Sequence, residues 1–325
     1  MREIIGNKTV LKYMEEAVSD NRILGTYLFE GASGTGKLML ARFFAASALC
    51  REGAKNVPCG NCSVCERIFS GIHPDVCEVT ADEEKTGITV DEIRETVLSA
   101  QLTPTESDRK FYIIRPADKM NIQAQNALLK GIEEPPANVT YMLLADDITS
   151  LLPTVVSRSY KMKTEELSFE SIYNALSEEF TNESKEKIRF ASLLSSGSLG
   201  KAKLLLNDEE MTEARSKALL YVDAFVKGYD PIKRSLYLEQ GQKKDSMLLV
   251  LSMINLAARD LLVVKYASED TELMIYGSAE DAVRASEKAN GRSIVKLFDI
   301  TSELLRSANK NVNASCASSA VNTLI

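Results

Sequence analysis

The stretch Gly31-Ala32-Ser33-Gly34-Thr35-Gly36-Lys37-Leu38 constrains this chain more than any other segment. It follows the short apolar run Thr26-Tyr27-Leu28-Phe29-Glu30 and precedes Leu38, Leu40, Ala41, Phe44, Ala45, Ala48 and Leu49, which recur at helical spacing. Strand, glycine-rich loop and helix in that order predict a phosphate-binding loop, in which backbone N–H groups and a helix N-terminus cradle phosphates and a lysine reaches their oxygens. Gly31, Gly36 and Lys37 fill the fixed positions, with Gly34 inside the loop. The last fixed position, where a serine or threonine hydroxyl ligates Mg²⁺, is Leu38 and offers no ligand atom. Retention of Gly31, Gly34, Gly36 and Lys37 leaves weak nucleotide binding open.

The rest of the first half suits such a loop. Further apolar runs at residues 76–79, 111–114 and 141–145 alternate with amphipathic segments carrying Val10, Leu11, Met14, Ala17 and Val18, then Val90, Ile93, Val97 and Leu98, then Ile122, Ala124, Ala127, Leu128 and Ile132. Four short apolar runs separated by helices predict a parallel sheet buried on both faces, an α/β fold. After Lys163 only helical patterns follow, including one through Met247, Leu248, Leu251, Ile254, Leu261 and Leu262. The expected division is a P-loop core over 1–163, a small helical domain over 164–207 and an all-helical domain over 208–325.

Four of the six cysteines, Cys50, Cys59, Cys62 and Cys65, are spaced C-x8-C-x2-C-x2-C, with Pro58, Gly60 and Asn61 supplying turns. Two overlapping C-x2-C steps in an insert of about 50–77 point to a tetrahedral Zn²⁺ held by four thiolates, structural because no coordination position is left for a substrate. A thioredoxin-like redox pair would not need the third and fourth cysteines. Cys77 and Cys316 are expected to be buried small hydrophobes. The single histidine, His73, lies in Gly71-Ile72-His73-Pro74-Asp75 with no nucleophile motif nearby and is expected to fix a loop.

Length allows two or three domains. A net charge of −7 and a pI near 5.2 argue against a chain that wraps nucleic acid with its whole surface, so any DNA contact is local or shared with partners. No segment approaches the ~18 uninterrupted apolar residues of a membrane span, and a soluble, cytoplasmic protein without membrane contact is expected.

Three motifs in order, the loop, the four-cysteine insert after its helix, and Ala127-Leu128-Leu129-Lys130-Gly131-Ile132-Glu133-Glu134-Pro135-Pro136, together with Leu152-Pro153-Thr154-Val155-Val156-Ser157-Arg158, closely resemble bacterial clamp-loader subunits of the AAA+ class. The resemblance has specific motifs over the first ~205 residues and extends to the helical remainder by architecture only. It implies an AAA+ P-loop core with a zinc module, a helical lid and a C-terminal collar that assembles a ring with gamma/tau and delta subunits. That ring, part of the DNA polymerase III holoenzyme, loads a sliding clamp on primer-template DNA.

Motor and non-hydrolysing members of that family differ in their nucleotide chemistry. A Walker B strand ends in acids that assist Mg²⁺ and polarise water, whereas the strand at 111–114 runs into Arg115 and Pro116. In Ser196-Gly197-Ser198-Leu199-Gly200-Lys201-Ala202, Gly200 falls where the motors carry a sensor arginine, unless the alignment slips onto Lys201. Losing one such element costs on the order of 10² to 10⁵ in rate, so hydrolysis of ATP with Mg²⁺ by this chain is not expected. By the same resemblance, Ser157-Arg158-Ser159 matches the family's Ser-Arg-Cys motif apart from the cysteine, and Arg158 is expected to act as an arginine finger on a neighbouring subunit's ATP; otherwise it is a surface arginine at the sheet edge. Glu133-Glu134-Pro135-Pro136 reads as a helix stop, with Lys130 as a local ion-pair partner, and is given no catalytic role. The competing readings are an ATP-hydrolysing motor subunit, a standalone P-loop ATPase or kinase with a zinc module, and a purely structural zinc scaffold.

Overall fold

A computed structural model describes residues 4–52, 58–81, 87–206, 210–230, 244–266, 273–276 and 279–308. Cys316 lies outside them.

The apolar runs become strands β1 (Thr26–Glu30), β2 (Val76–Thr80), β3 (Lys110–Arg115) and β4 (Val139–Ala145). A fifth strand, β5 (Tyr160–Lys163), extends the edge beside β1. It is absent from the apolar pattern because only Met162 of Tyr-Lys-Met-Lys is buried. All pairings are parallel, in the order β2-β3-β4-β1-β5.

Alternation of side chains along each strand splits the core in two. Tyr27, Phe29, Phe111, Ile113, Met142 and Leu144 face a cluster with Met14 of α1 (Lys8–Ser19), Phe44 of α2 (Lys37–Leu49) and Ile68 of α3 (Ser63–Ser70). Leu28, Tyr112, Ile114, Tyr141 and Leu143 face Ile93 of α4 (Val90–Ser99), Leu128 of α5 (Ile122–Glu133) and Val155 of α6 (Pro153–Ser157). Thr89 and Glu92 start α4 with a reciprocal capping box. Two apolar residues of the helical patterns, Leu98 and Ile122, are exposed rather than buried, since each lies off its helix's inward face.

Two compact units emerge. The first runs to Ala175 and also takes Ser196–Lys201; the second comprises Leu176–Ser195 and the chain from Ala202 onward. In the second, the helix Lys244–Tyr266 is the central element, with Leu251, Ile254, Ala257 and Leu261 fully buried. Residues 246–266 are long and apolar enough to cross a membrane by length and composition, with a mean hydropathy of 1.9, but half of that window is buried inside the structure. The buried Asp260 carboxylate on this helix accepts backbone N–H bonds from Met274, Ile275 and Tyr276 at 2.6–3.2 Å.

Candidate functional site

Backbone conformation explains the loop's glycines. Gly34 (φ 77°) and Gly36 (φ 93°) sit in the left-handed region, which side chains disfavour. Gly36 is the N-cap of α2, so Lys37 is its first residue. Thr35 Oγ1 donates to the Ala32 carbonyl at 2.8 Å and shares a 2.9 Å hydrogen bond with Thr164 Oγ1, stitching the loop to the residue after β5.

The lysine ammonium is already fully used. Lys37 Nζ donates to Gly31 O (2.6 Å), Ala32 O (2.9 Å) and Asp146 Oδ1 (2.6 Å), and its side chain is only 10% exposed. An ammonium has three donors, so phosphate binding must break at least one of these contacts. Asp146, just past β4, was not among the sequence candidates; an acid after an apolar strand was the available signal. Its backbone N–H is in turn held by Asp118 Oδ1 at 3.2 Å.

A second set of contacts to the loop comes from Ser196–Lys201. Ser198 Oγ donates to Ser33 O and Gly200 N–H to Gly34 O, both at 2.9 Å. A Cβ added to Gly200 would lie 2.8 Å from Gly34 Cα and 2.9 Å from its carbonyl oxygen, and one added to Gly34 would lie 2.4 Å from Ser198 Oγ. The two backbones touch because neither residue has a side chain.

The positions expected to handle metal do other work. Leu38 packs partly buried against the core cluster of α1, α2 and α3. Arg115, at the end of β3, reaches Glu78 Oε2 of β2 at 3.3 Å, and Glu78 Oε1 also accepts from Arg42 Nε at 2.6 Å. Arg42 donates further to Phe69 O at 2.6 Å. The cation thus ties β3 to β2.

Arg158 is the C-cap of α6 and 40% exposed. Its Nη1 donates to Thr154 O at 3.2 Å and its Nη2 lies 3.0 Å from Glu133 Oε1, so the Glu133 carboxylate is paired with Arg158 rather than with Lys130. Gln125, 2% exposed, fixes the approach to α6: its Oε1 accepts from Leu152 N at 2.6 Å and its Nε2 donates to Ser150 O and Met120 O. Sequence reasoning missed Gln125; a polar residue amid α5's inward positions was its only signal.

The four cysteine sulfurs lie within 4.8 Å of one another. Cys50–Cys62 and Cys59–Cys65 are each 3.9 Å apart, near the tetrahedral edge of about 3.8 Å set by ~2.3 Å metal–sulfur bonds. Backbone N–H groups of Cys59, Cys62 and Cys65 point at Cys50, Cys59 and Cys62 sulfurs at 3.3–3.5 Å, an arrangement that stabilises thiolates. The backbone N–H of Asn61, the largest influence, holds the Cys59 thiol down to about 7, whereas Cys62 is pushed up despite the Cys65 N–H, by burial and neighbouring thiols, and Cys65 is pushed up by burial. A soft four-sulfur donor set fits a metal ion of the zinc type. Cys77 is half-buried rather than buried, with its thiol donating to Pro74 O at 3.5 Å.

His73 is buried, and its Nδ1 accepts from Asp75 N at 3.1 Å, ordering the turn into β2. The buried Asp75 carboxylate accepts from the backbone N–H groups of Thr105, Glu106 and Ser107 at 2.6–2.9 Å. Burial by itself would raise its pKa, but these bonds outweigh it and hold the carboxyl below its ordinary 3.8.

The strand order, with the loop between β1 and α2 and β4 inserted between β1 and β3, defines a parallel α/β core of the P-loop kind. The family model described as "DNA polymerase III, delta subunit" matches residues 6–168. DNA polymerase III subunit delta' of Bacillus subtilis is 30% identical over 271 residues, covering 80% of this chain and 78% of that protein. The chain belongs to the delta-prime-like family of DNA polymerase III subunits. It is also similar to DNA polymerase III subunit tau of Salmonella typhimurium, 29% identical over 260 residues, 79% of this chain but only 40% of that one. A solved gamma subunit-related protein of Thermotoga maritima is similar at 18% identity and a TM-score of 0.46, covering 97% of both chains.

Proposed function

We propose that the chain is the non-hydrolysing delta-prime subunit of a bacterial clamp loader. In this reading 1–163 is the P-loop core, 164–207 a helical lid and 208–325 a collar that joins gamma/tau and delta subunits in the ring that loads a sliding clamp on primed DNA. Zn²⁺ bound by Cys50, Cys59, Cys62 and Cys65 staples the module after α2. The core's own nucleotide site stays idle, and Arg158 is offered to the ATP of a neighbouring motor subunit.

The observation that carries this reading is the self-satisfied loop: Lys37 spends its donors on Gly31, Ala32 and Asp146. Leu38 and Arg115 support it, since both are engaged in packing or pairing where metal chemistry would need oxygen ligands. An exposed guanidinium is available for a trans role, and a finger of this type is worth about 10³ to 10⁵ in rate.

Reconstitution with gamma/tau and delta tests it. Arg158→Ala is expected to cut the ATPase of the complex and its clamp loading while leaving assembly intact; an unchanged ATPase removes the finger. ATP turnover by the purified chain alone would instead favour a motor subunit.

A further inference from the structure

We propose that Glu133 is a positioning residue for Arg158, holding its guanidinium in the orientation that meets a neighbour's phosphate. This rests on Arg158 acting in trans.

The sequence stops α5 at Glu133: Pro135 and Pro136 follow closely and cannot continue a helix. A carboxylate in the last helical turn faces the negative end of the helix dipole and is unfavourable there unless a cation answers it. Arg158 is that cation, with Nη2 3.0 Å from Glu133 Oε1. The second anchor, Nη1 to Thr154 O at 3.2 Å, comes from α6. One hydrogen bond and one ion pair reach the guanidinium from two helices and limit its swing, and they leave most of its five N–H donors unengaged. Both helices are themselves located by Gln125, which belongs to α5 and receives the N–H that opens α6.

A free arginine side chain must give up rotamer freedom to reach a transition state; one already held gives up less. The carboxylate also neutralises part of the charge it orients, so the two effects oppose each other and the sign of the rate change separates them. Side-chain exposures of 40% and 49% place the pair in the weak class of exposed ion pairs, which limits the effect to about two- to fivefold.

The test uses the full complex reconstituted with motor and delta subunits, with clamp and primed DNA present, and reads kcat and KM for ATP. Glu133→Ala is expected to lower kcat two- to fivefold with KM unchanged. Glu133→Gln, which keeps the length of the side chain but removes the charge of the pair, is expected to lose kcat to a similar extent. In an Arg158→Ala background, Glu133→Ala is expected to have no further effect. Gel filtration of the complex reports assembly, and Glu133→Gln with its double mutant serves if the alanine variant does not assemble. A kcat that is unchanged or higher in Glu133→Ala, or an equal loss with and without Arg158, overturns the proposal. Arg158→Ala without effect identifies failure of the finger reading itself; a deficient Arg158→Ala beside an unaffected Glu133→Ala identifies failure of the positioning role alone.

Discussion

Gly200→Ala tests whether the close contact between two glycine backbones braces the loop. The new Cβ would sit 2.8 Å from Gly34 Cα and 2.9 Å from Gly34 O. Carbon atoms normally meet at about 3.5–4.0 Å, so the turn must withdraw by several tenths of an ångström, against backbone that cannot rotate away. Overpacking of this sort costs about 1–3 kcal/mol. Stretching the bonds from Gly200 N to Gly34 O and from Ser198 Oγ to Ser33 O adds up to about 1 kcal/mol each. One term runs the other way. Gly200 is the second residue of the helix Leu199–Leu206, where alanine is favoured over glycine by up to about 1 kcal/mol. The terms span about 0 to 5 kcal/mol, and a net loss near the middle of that range, about 2–3 kcal/mol, is expected. Thermal unfolding of the purified chain should show it as a fall of roughly 2–4 °C for each kcal/mol lost. A variant whose melting temperature rises would be following helix propensity alone, and the reasoning from close approach would be wrong.

Metal content gives a second check: the purified chain should carry about one zinc ion by elemental analysis, and Cys62→Ser or Cys65→Ser should lose it together with protease resistance of the module, because binding energy at such sites is folding energy. Zinc-free protein of unchanged stability would refute the assignment. Asp75 supplies a pH dependence. Its folded pKa lies below the ordinary 3.8, so its contribution to stability is fully present above that value and is lost as pH falls through the lower, folded value. Asp75→Asn should therefore be less stable than wild type at neutral pH by about 1–3 kcal/mol in urea titrations, with the gap narrowing below pH 3.8; a gap that does not narrow in acid would exclude the ionised carboxylate as its source.

The sequence was most legible where one local rule decided the outcome. The run 26–30 is buried on both faces of the sheet and is bounded by a loop with two left-handed glycines, so its strand and the loop after it could be read directly. The strand Tyr160–Lys163 was not readable, because an edge strand with lysines at two of four positions buries a single side chain and carries no apolar run. Helix α3 was hidden for a different reason: it lies inside the cysteine insert, where metal-ligand spacing dominates the pattern. The cysteine cluster itself needed only short-range spacing. Contacts of Lys37 with Asp146 and of Arg158 with Glu133 join residues far apart in the chain, and no local pattern encodes a pair that only the packed sheet brings together. For Glu133, a local explanation as a helix stop was sufficient and concealed the longer-range one.

The bracing of the loop also has a direction along the chain. Ribosomes deliver β1, the loop and all five strands well before Gly200, and residues 176–195, which belong to the other unit, emerge in between. A nascent core therefore holds every residue of its sheet before the segment that bonds to Ser33 and Gly34 exists, and those contacts form only when the chain comes back. A fragment cut at 175, which keeps Thr164 beside Thr35 but ends ahead of Ser196, would lack those contacts permanently. Nucleotide binding measured on such a fragment would report on a loop without the hydrogen bonds that Ser198 and Gly200 give it in the whole chain.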